Sequence, residues 1–476
     1  MTKYLIFNNF TGGISDKPES NDLTTHAYSE GMETQKYPDR MYPDWHLKKA
    51  SGSTVDSLVT GMTVAEIATV ATLYMAGSTD IYTVNTANTW ASVHEVGVTE
   101  DIEYYNDYIY YTQNDNVGRY GPLSVSPAFV DGWWTAGGDA VHTADFHPTH
   151  TQWNRLLIGN GRYVSTVDSS GTVIEDALDL PVGFEIVKMA DYASDYVAIL
   201  AKKSYGTAVP KVTEIGVFFW DGTSDSWSNY FSIPDVGAYT MINKGGVLYV
   251  FHGWSDHITI SYFDGQRFIP LKSIRRELAV VSAPSMRTNA ITLHRGRMLL
   301  GIENANATKT EWGGGLYSWS SPEGNYPEVL NYLTPPSIGK FGQSIGCVGT
   351  LGNLIYVSWY DGTNYGVDKM EAGEDYTGVW ESNIMDMGRP DVKKYIDELK
   401  LGFKSITSGH TIALKVKVDY GSWVTVDTAT TGTSLTSYKK YMGRKIQFRI
   451  DMLYKNATGY PPPEITSLYV KYHDLS

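Results

Sequence analysis

Alternation of apolar and polar positions organises this chain more than any single residue does. In Gly245–Gly265, GGVLYVFHGWSDHITISYFDG, two runs rich in β-branched and aromatic residues, Val247–His252 and Ile258–Phe263, flank a polar turn over Gly253–Asp256. The second run stops at Asp264-Gly265. Short runs of this kind, bounded by turn residues, predict an antiparallel hairpin. Related runs begin at Ala71, Asp107, Asn154, Ser194, Gly246, Gly296 and Gly352, a recurrence of about 47 residues whose variation sits in the second turn. A further short strand is predicted before most copies, as in Phe184–Met189, Ala238–Ile242 and Ala290–His294, and another after, as in Trp227–Ile233 and Arg267–Leu271. A unit of four antiparallel strands cannot cover both its faces alone, whereas radial stacking covers them and leaves short edges. The pattern therefore predicts an all-β chain with a β-propeller of about seven blades over residues 54–388. A series of β-sandwiches would need longer units and fewer glycine-bounded turns.

The periodicity changes on either side. After Gly388-Arg389-Pro390, longer alternating strands are predicted at Ile396–Phe403, Thr411–Val418, Trp423–Val426, Lys445–Leu453 and Glu464–Tyr472. In one of them Ile446, Phe448 and Ile450 share a side, with Gln447 and Arg449 opposite. Residues 389–476 thus read as a C-terminal antiparallel β-sandwich. Residues 1–53 show little periodicity and carry Gly12, Gly13, Pro18, Pro38 and Pro43, yet hold apolar anchors from Tyr4 to Trp45. They read as an extended N-terminal arm lying over other surfaces.

Composition supports strands over helices: 35 Tyr, 13 Trp and 46 Gly accompany only 19% charged residues. The formal charge of −14 argues against a sequence-reading DNA surface, which needs Lys and Arg clusters, but is compatible with a channel that nucleic acid passes without sticking. Cys347, the single cysteine, excludes an internal disulfide and lies in the apolar run SIGCVGTL, where a buried small hydrophobe is expected. MTKYLIFNNF lacks the pattern of a secretion signal, and no window approaches the ~18 apolar residues of a spanning helix. A soluble protein made in a reducing cytosol is expected.

Candidate chemistry is sparse. His142, His147 and His150 cluster around Asp145, but Pro148 bends the segment and no familiar metal spacing is met. Gly313–Gly315 is not followed by Lys-Ser or Lys-Thr, so a hairpin turn is expected rather than a phosphate cradle. Glu371, Glu374 and Asp375 form an acidic surface turn, and no carboxylate pair stands out for glycoside hydrolysis. Thr223–Trp227 has the Asp and Trp of the sialidase turn but neither its glycine nor its spacing. Trp133 and Trp134 suit packing as well as sugar stacking, and Lys272, Arg275 and Arg276 make the one dense basic spot. No catalytic, cofactor-binding or metal-binding residue is assigned, and no enzymatic activity is expected.

The N-terminal stretch FNNFTGGISDKPESNDLTTHAYSEGMETQKYPDRMYP resembles the opening of tailed-bacteriophage virion proteins: a short strand, a Phe-x-Gly-Gly-Ile turn over Phe10–Ile14, then a proline-containing turn over Pro38–Pro43. Arm, propeller and sandwich together resemble the tail nozzle, or tubular protein B-like, component of short-tailed phages. The resemblance implies a homo-oligomeric ring, commonly of six copies, that contacts other tail or neck proteins, forms part of the DNA-ejection channel, and resides in the virion after synthesis in the host cytoplasm. It implies no catalytic residues. Partner contacts are then expected from Phe10, Gly12, Gly13, Ile14, Tyr37, Pro38, Tyr42 and Trp45. The alternatives are a propeller glycan hydrolase or lyase and a receptor- or carbohydrate-binding tail module.

Overall fold

The computed structural model describes the chain apart from residues 1, 16, 18, 38, 51–54, 68, 79, 96–98, 114–115, 136–145, 206–210, 255–256, 276–283, 304–313, 322–326, 340–341, 372–375, 408, 456–460 and 476. The described secondary structure is β throughout, without an α-helix. Seven four-stranded antiparallel sheets follow one another along the chain. Their leading strands are Gly61–Ile67, Thr99–Tyr105, Thr149–Gln152, Phe184–Tyr192, Gly237–Lys244, Ile291–His294 and Ser344–Leu351. These seven strands touch in sequence, and the seventh returns to the first, so they close a circle. A closed ring of radially stacked four-stranded sheets is a β-propeller. Closure is completed by a strand from far upstream: His46–Lys49 is the fourth strand of the seventh sheet, and the Ala50 amide donates to the Val367 carbonyl at 3.0 Å. The hairpin predicted at Gly245–Gly265 is the middle of the fifth sheet, Val247–Trp254 paired with His257–Phe263.

Burial explains the sequence pattern. The second strand of each sheet has a neighbouring sheet on both faces, so it reads as a continuous apolar run rather than an alternation. In Tyr196–Tyr205 the odd positions Val197, Ile199 and Ala201 pack toward the third sheet, with Leu157 and Val164. The even positions Ala198 and Leu200 pack toward the fifth, with Leu248 and Val250. Cys347 is buried between the seventh and first sheets beside Leu73 and Val84, as expected for a small hydrophobe.

The chain divides into two compact units, one of residues 1–47, 310–337 and 370–476, the other of residues 48–309 and 338–369. The closed circle of leading strands lies in the second unit. The first contains two five-stranded antiparallel sheets. One runs Thr2–Phe7, Ile465–Asp474, Lys394–Ile406 and Gly432–Ser437, with Tyr441–Gly443 also on Lys394–Ile406; the other runs His26–Glu30, Tyr376–Ser382, Ile446–Tyr454, Thr411–Val418 and Val424–Ala429. Their inward side chains form one core that includes Phe7, Phe10, Trp380, Leu399, Leu414, Phe448 and Val470.

This departs from the division read in the sequence. The first residues are not an arm laid over finished surfaces: Thr2–Phe7 pairs with Ile465–Asp474, and His26–Glu30 pairs with Tyr376–Ser382. The change at Gly388 is not the boundary either, because Tyr376–Ser382 belongs to the sheet of Ile446–Tyr454. The physical reason is that these strands find their partners hundreds of residues away, where no local pattern announces them. Gln447 also differs from its expected outward position. It is 4% exposed and donates to the Ser382 carbonyl at 2.9 Å.

Candidate functional site

Five of the seven leading strands line a half-open cavity of about 250 Å³. Its walls mix Val64, Ile102 and Val348 with Asp101, Glu103, Lys188 and Asn289. Asp101 and Glu103 are two residues apart on one strand, so the pleat aims both to one side. Asp101 is 4% exposed, and its carboxylate is saturated. It accepts from the Thr149 amide at 2.8 Å and hydroxyl at 3.0 Å, from Asn289 Nδ2 at 2.8 Å, and from the Ile102 amide at 2.9 Å. Asn289 extends the network: Nδ2 also donates to the Thr60 carbonyl at 3.0 Å, Oδ1 accepts from Lys188 Nζ at 2.6 Å, and its carbonyl accepts from the Val348 amide at 3.1 Å. Thr240 Oγ1 donates to the neighbouring Thr288 carbonyl at 2.5 Å. Thr60, Asp101, Thr149, Lys188, Thr240, Asn289 and Val348 come from, or immediately precede, the seven leading strands. The axis is thus stitched by buried polar contacts from every sheet, which specifies a single register for the ring.

Glu103 differs from Asp101. Its Oε1 accepts from the Thr151 hydroxyl at 3.2 Å. Part of its surface stays open to the cavity, and the rest is packed against protein. That loss of hydration pushes its carboxyl up to about 7; Asp101 adds to the rise, while His150 and Lys188 oppose it. His150 is itself engaged by Asp191 at 2.9 Å. The arrangement is a rigid polar hub with one carboxyl poised near neutrality and one ammonium that has donors to spare.

A second constellation is a serine–imidazole–carboxylate chain in the fifth sheet. Ser261 Oγ lies 2.8 Å from His252 Nε2, and His252 Nδ1 lies 2.9 Å from Asp235 Oδ2, which His257 Nε2 approaches at 3.4 Å. This order activates nucleophiles when the serine meets substrate. Ser261 is 1% exposed and lies outside the cavity wall, so the chain instead pins the second and third strands to the loop before the first. Burial pushes the His252 imidazole down in pKa, against the pull of Asp235.

The residues singled out in the sequence fall as follows. His147 is buried and joined to the Gly159 carbonyl through Nδ1 at 3.1 Å; its amide donates to Glu100 at 2.8 Å. His142 and Asp145 lie outside the described residues, and no group of three potential metal ligands occurs among the described ones. Gly313, Glu374, Asp375 and Arg276 also lie outside them, whereas Gly315 opens the strand Gly315–Ser320. Trp133 stacks under the Arg119 guanidinium at 4.7 Å and Trp134 donates to Glu175 at 3.0 Å, so both are engaged in packing. In the turn compared with sialidases the organising carboxylate is Asp221, which accepts from the Thr223 and Ser224 amides, not Asp225. Burial pushes the Cys347 thiol up to about 12.

The N-terminal candidates are largely spent within their own unit. Phe10 is fully buried, edge-on to Trp380 at 5.8 Å. The Gly12 amide donates to the Thr24 carbonyl at 3.1 Å, and the Ile14 amide to the Leu330 carbonyl at 2.9 Å. Gly13 holds φ +67°, and a Cβ there would stand 2.7 Å from Val329. Tyr37, Tyr42 and Trp45 are half-buried; Tyr37 lies under the Arg40 guanidinium at 4.5 Å and near Tyr42 at 6.3 Å. Pro38 lies outside the described residues. The hub residues themselves were not singled out in the sequence. Superposing the repeats and asking which leading-strand positions are polar is the signal that finds Asp101, Glu103 and Lys188.

No protein-family model and no curated protein matches the chain. Among solved structures it is similar to the computationally designed Ika8 protein, at 9% identity over 71% of this chain and 97% of that one, with a TM-score of 0.41. The Dos1 propeller is similar at 8% identity over 76% of this chain and 95% of that one, with a TM-score of 0.42. An exo-beta-1,3-galactanase from Phanerochaete chrysosporium, solved with beta-1,3-galactotriose, is similar at 12% identity over 68% of this chain and 95% of that one, with a TM-score of 0.29.

Proposed function

We propose that this chain is a structural component of a phage virion, in the tail or neck, that assembles as a homo-oligomeric ring and forms part of the DNA-ejection path. In this reading the repeat region is a seven-bladed propeller, the first unit is a β-sandwich, and neither performs chemistry. The observation that carries it is the pair of rim strands on one sheet. Thr2–Phe7 is the rim strand of its sheet, with Tyr4 53% and Ile6 50% exposed, and Gly432–Ser437 is the opposite rim. A sheet with a rim on each side can be continued by neighbouring copies, as a head-to-tail ring requires. The Phe10–Ile14 turn and the net charge of −14 support the same reading, the first by resemblance, the second because an acidic wall repels DNA and lets it pass. Tyr37, Tyr42 and Trp45 remain candidates for partner contact, while Phe10, Gly12, Gly13 and Ile14 shape the module from inside.

Light scattering and negative-stain imaging of the full chain test this. A ring of about six copies is expected from closure of heterologous contacts, and Ile6→Lys should weaken it at unchanged circular dichroism. A monomer at every concentration overturns the reading. Glu103, a carboxyl open to the cavity, favours a second reading, a glycan-active propeller. Turnover of capsular or cell-wall glycans that disappears in Glu103→Gln would put it first.

A further inference from the structure

The axial cavity has hydrogen-bonding groups that the hub does not use. The carboxylate of Asp101 and the amide of Asn289 are saturated and serve as fixed walls. Glu103 commits one oxygen to Thr151, which leaves the other free among the described contacts. Among the described contacts Lys188 makes one hydrogen bond, to Asn289, which leaves two N–H donors there. Thr292 and Thr350 line the same wall. At ~30 Å³ per molecule, the 250 Å³ space admits about eight waters or one small organic solute, below the size range of drug-like ligands.

The chemistry of the wall narrows the class of solute. A simple anion would face two carboxylates, and a simple cation would face the Lys188 ammonium. A neutral solute that both donates and accepts matches all the unspent groups. Adjacent hydroxyls donate to the free Glu103 oxygen, a hydroxyl oxygen accepts from Lys188, and the threonines serve either way. Val64, 38% exposed, is the apolar side chain of the wall that can meet C–H faces between those hydroxyls, while Leu73, Ile102 and Val348 are themselves buried, so the wall is mainly polar. We propose that the axial cavity is a binding site for one small neutral polyol of monosaccharide or cyclitol size.

The proposal is independent of ring assembly, since its groups belong to one chain. Saturation-transfer NMR on the full chain, with D-glucose, D-galactose and myo-inositol as probes and glycine, inorganic phosphate and putrescine as controls, tests it. Transfer to at least one polyol and to no control is expected. Lys188→Met should weaken that binding at least tenfold, and Thr350→Val several-fold. Thr350→Val leaves every hub contact in place, so it reports on the cavity even if Lys188→Met impairs folding. Absence of transfer from all three polyols at millimolar concentration overturns the proposal. So does preferential binding of glycine, phosphate or putrescine, or binding unchanged in both variants. The hexose and cyclitol arms distinguish the two sources of the same chemistry.

Discussion

Each of the first five sheets of the propeller is one continuous run of chain, whereas each five-stranded sheet of the other unit draws strands from both ends of the sequence. In the fifth sheet every pairing joins consecutive strands between Gly237 and Arg275. In the other unit Thr2 is opposite His473, and Lys3 Nζ meets Asp474 at 2.7 Å across 471 positions. The two regions spend conformational entropy differently. Local hairpins close small loops, so each sheet of the ring can form early and add to its neighbour. The two-end unit must hold its core open until the last strand is made. Local pairing gives a modular scaffold; distant pairing makes the whole chain a condition for one module.

The sharpest break of this contrast is deletion of residues 1–50. It removes Thr2–Phe7 and His26–Glu30 from the two-end sheets and His46–Lys49 from the seventh sheet of the ring. Loss of soluble, cooperatively folded protein is expected by circular dichroism and calorimetry, so a truncation of this kind reads stability, not assembly. A more selective comparison pairs Trp380→Ala with Leu200→Ala. Trp380 meets Phe7 and Phe10 edge-on at 5.8 Å each, and its truncation should cost about 3–5 kcal/mol of the two-end core. Leu200→Ala should cost about 2–5 kcal/mol between the fourth and fifth sheets. In denaturant melts followed by calorimetry, the two substitutions should displace different transitions.

Acidity sharpens the comparison on the ring side. The folded Glu103 carboxyl titrates near 7 against an ordinary value of 4.5. Its contribution to stability is therefore full below about pH 4.5 and is lost as pH rises through 7. Glu103→Gln should flatten this part of the stability profile and stabilise the protein at pH 8 by roughly 1–3 kcal/mol, measured by urea melts across pH 4–8. The smallest effect is expected at Gly13. Its φ of +67° and its closeness to Val329 make Gly13→Ala cost about 1–2 kcal/mol, read as a shift in thermal midpoint.

The same contrast governs what could be read from the residues. The hairpin in Gly245–Gly265 and its recurrences are legible because partners sit beside each other in sequence, and because two covered faces force apolar runs such as Val197–Ala201. Phe10–Ile14 looked like part of an extended arm lying over other surfaces because its partners, Thr24, Leu330 and Trp380, are not its neighbours in the chain. The hub was hidden for another reason. Asp101, Lys188 and Asn289 are ordinary polar residues one at a time, and only closure of the circle makes them converge. Ser261, His252 and Asp235 were likewise invisible until the fifth sheet aligned them.

The strand His46–Lys49 has a consequence for the timing of synthesis. It leaves the ribosome before any residue of the repeats, yet its seat beside Tyr365–Glu371 does not exist until some three hundred residues later. Through most of translation the nascent chain carries its own clasp unfastened. In the finished molecule tension on the N-terminal segment would part Thr2–Phe7 and His26–Glu30 from their partners before it reached that clasp.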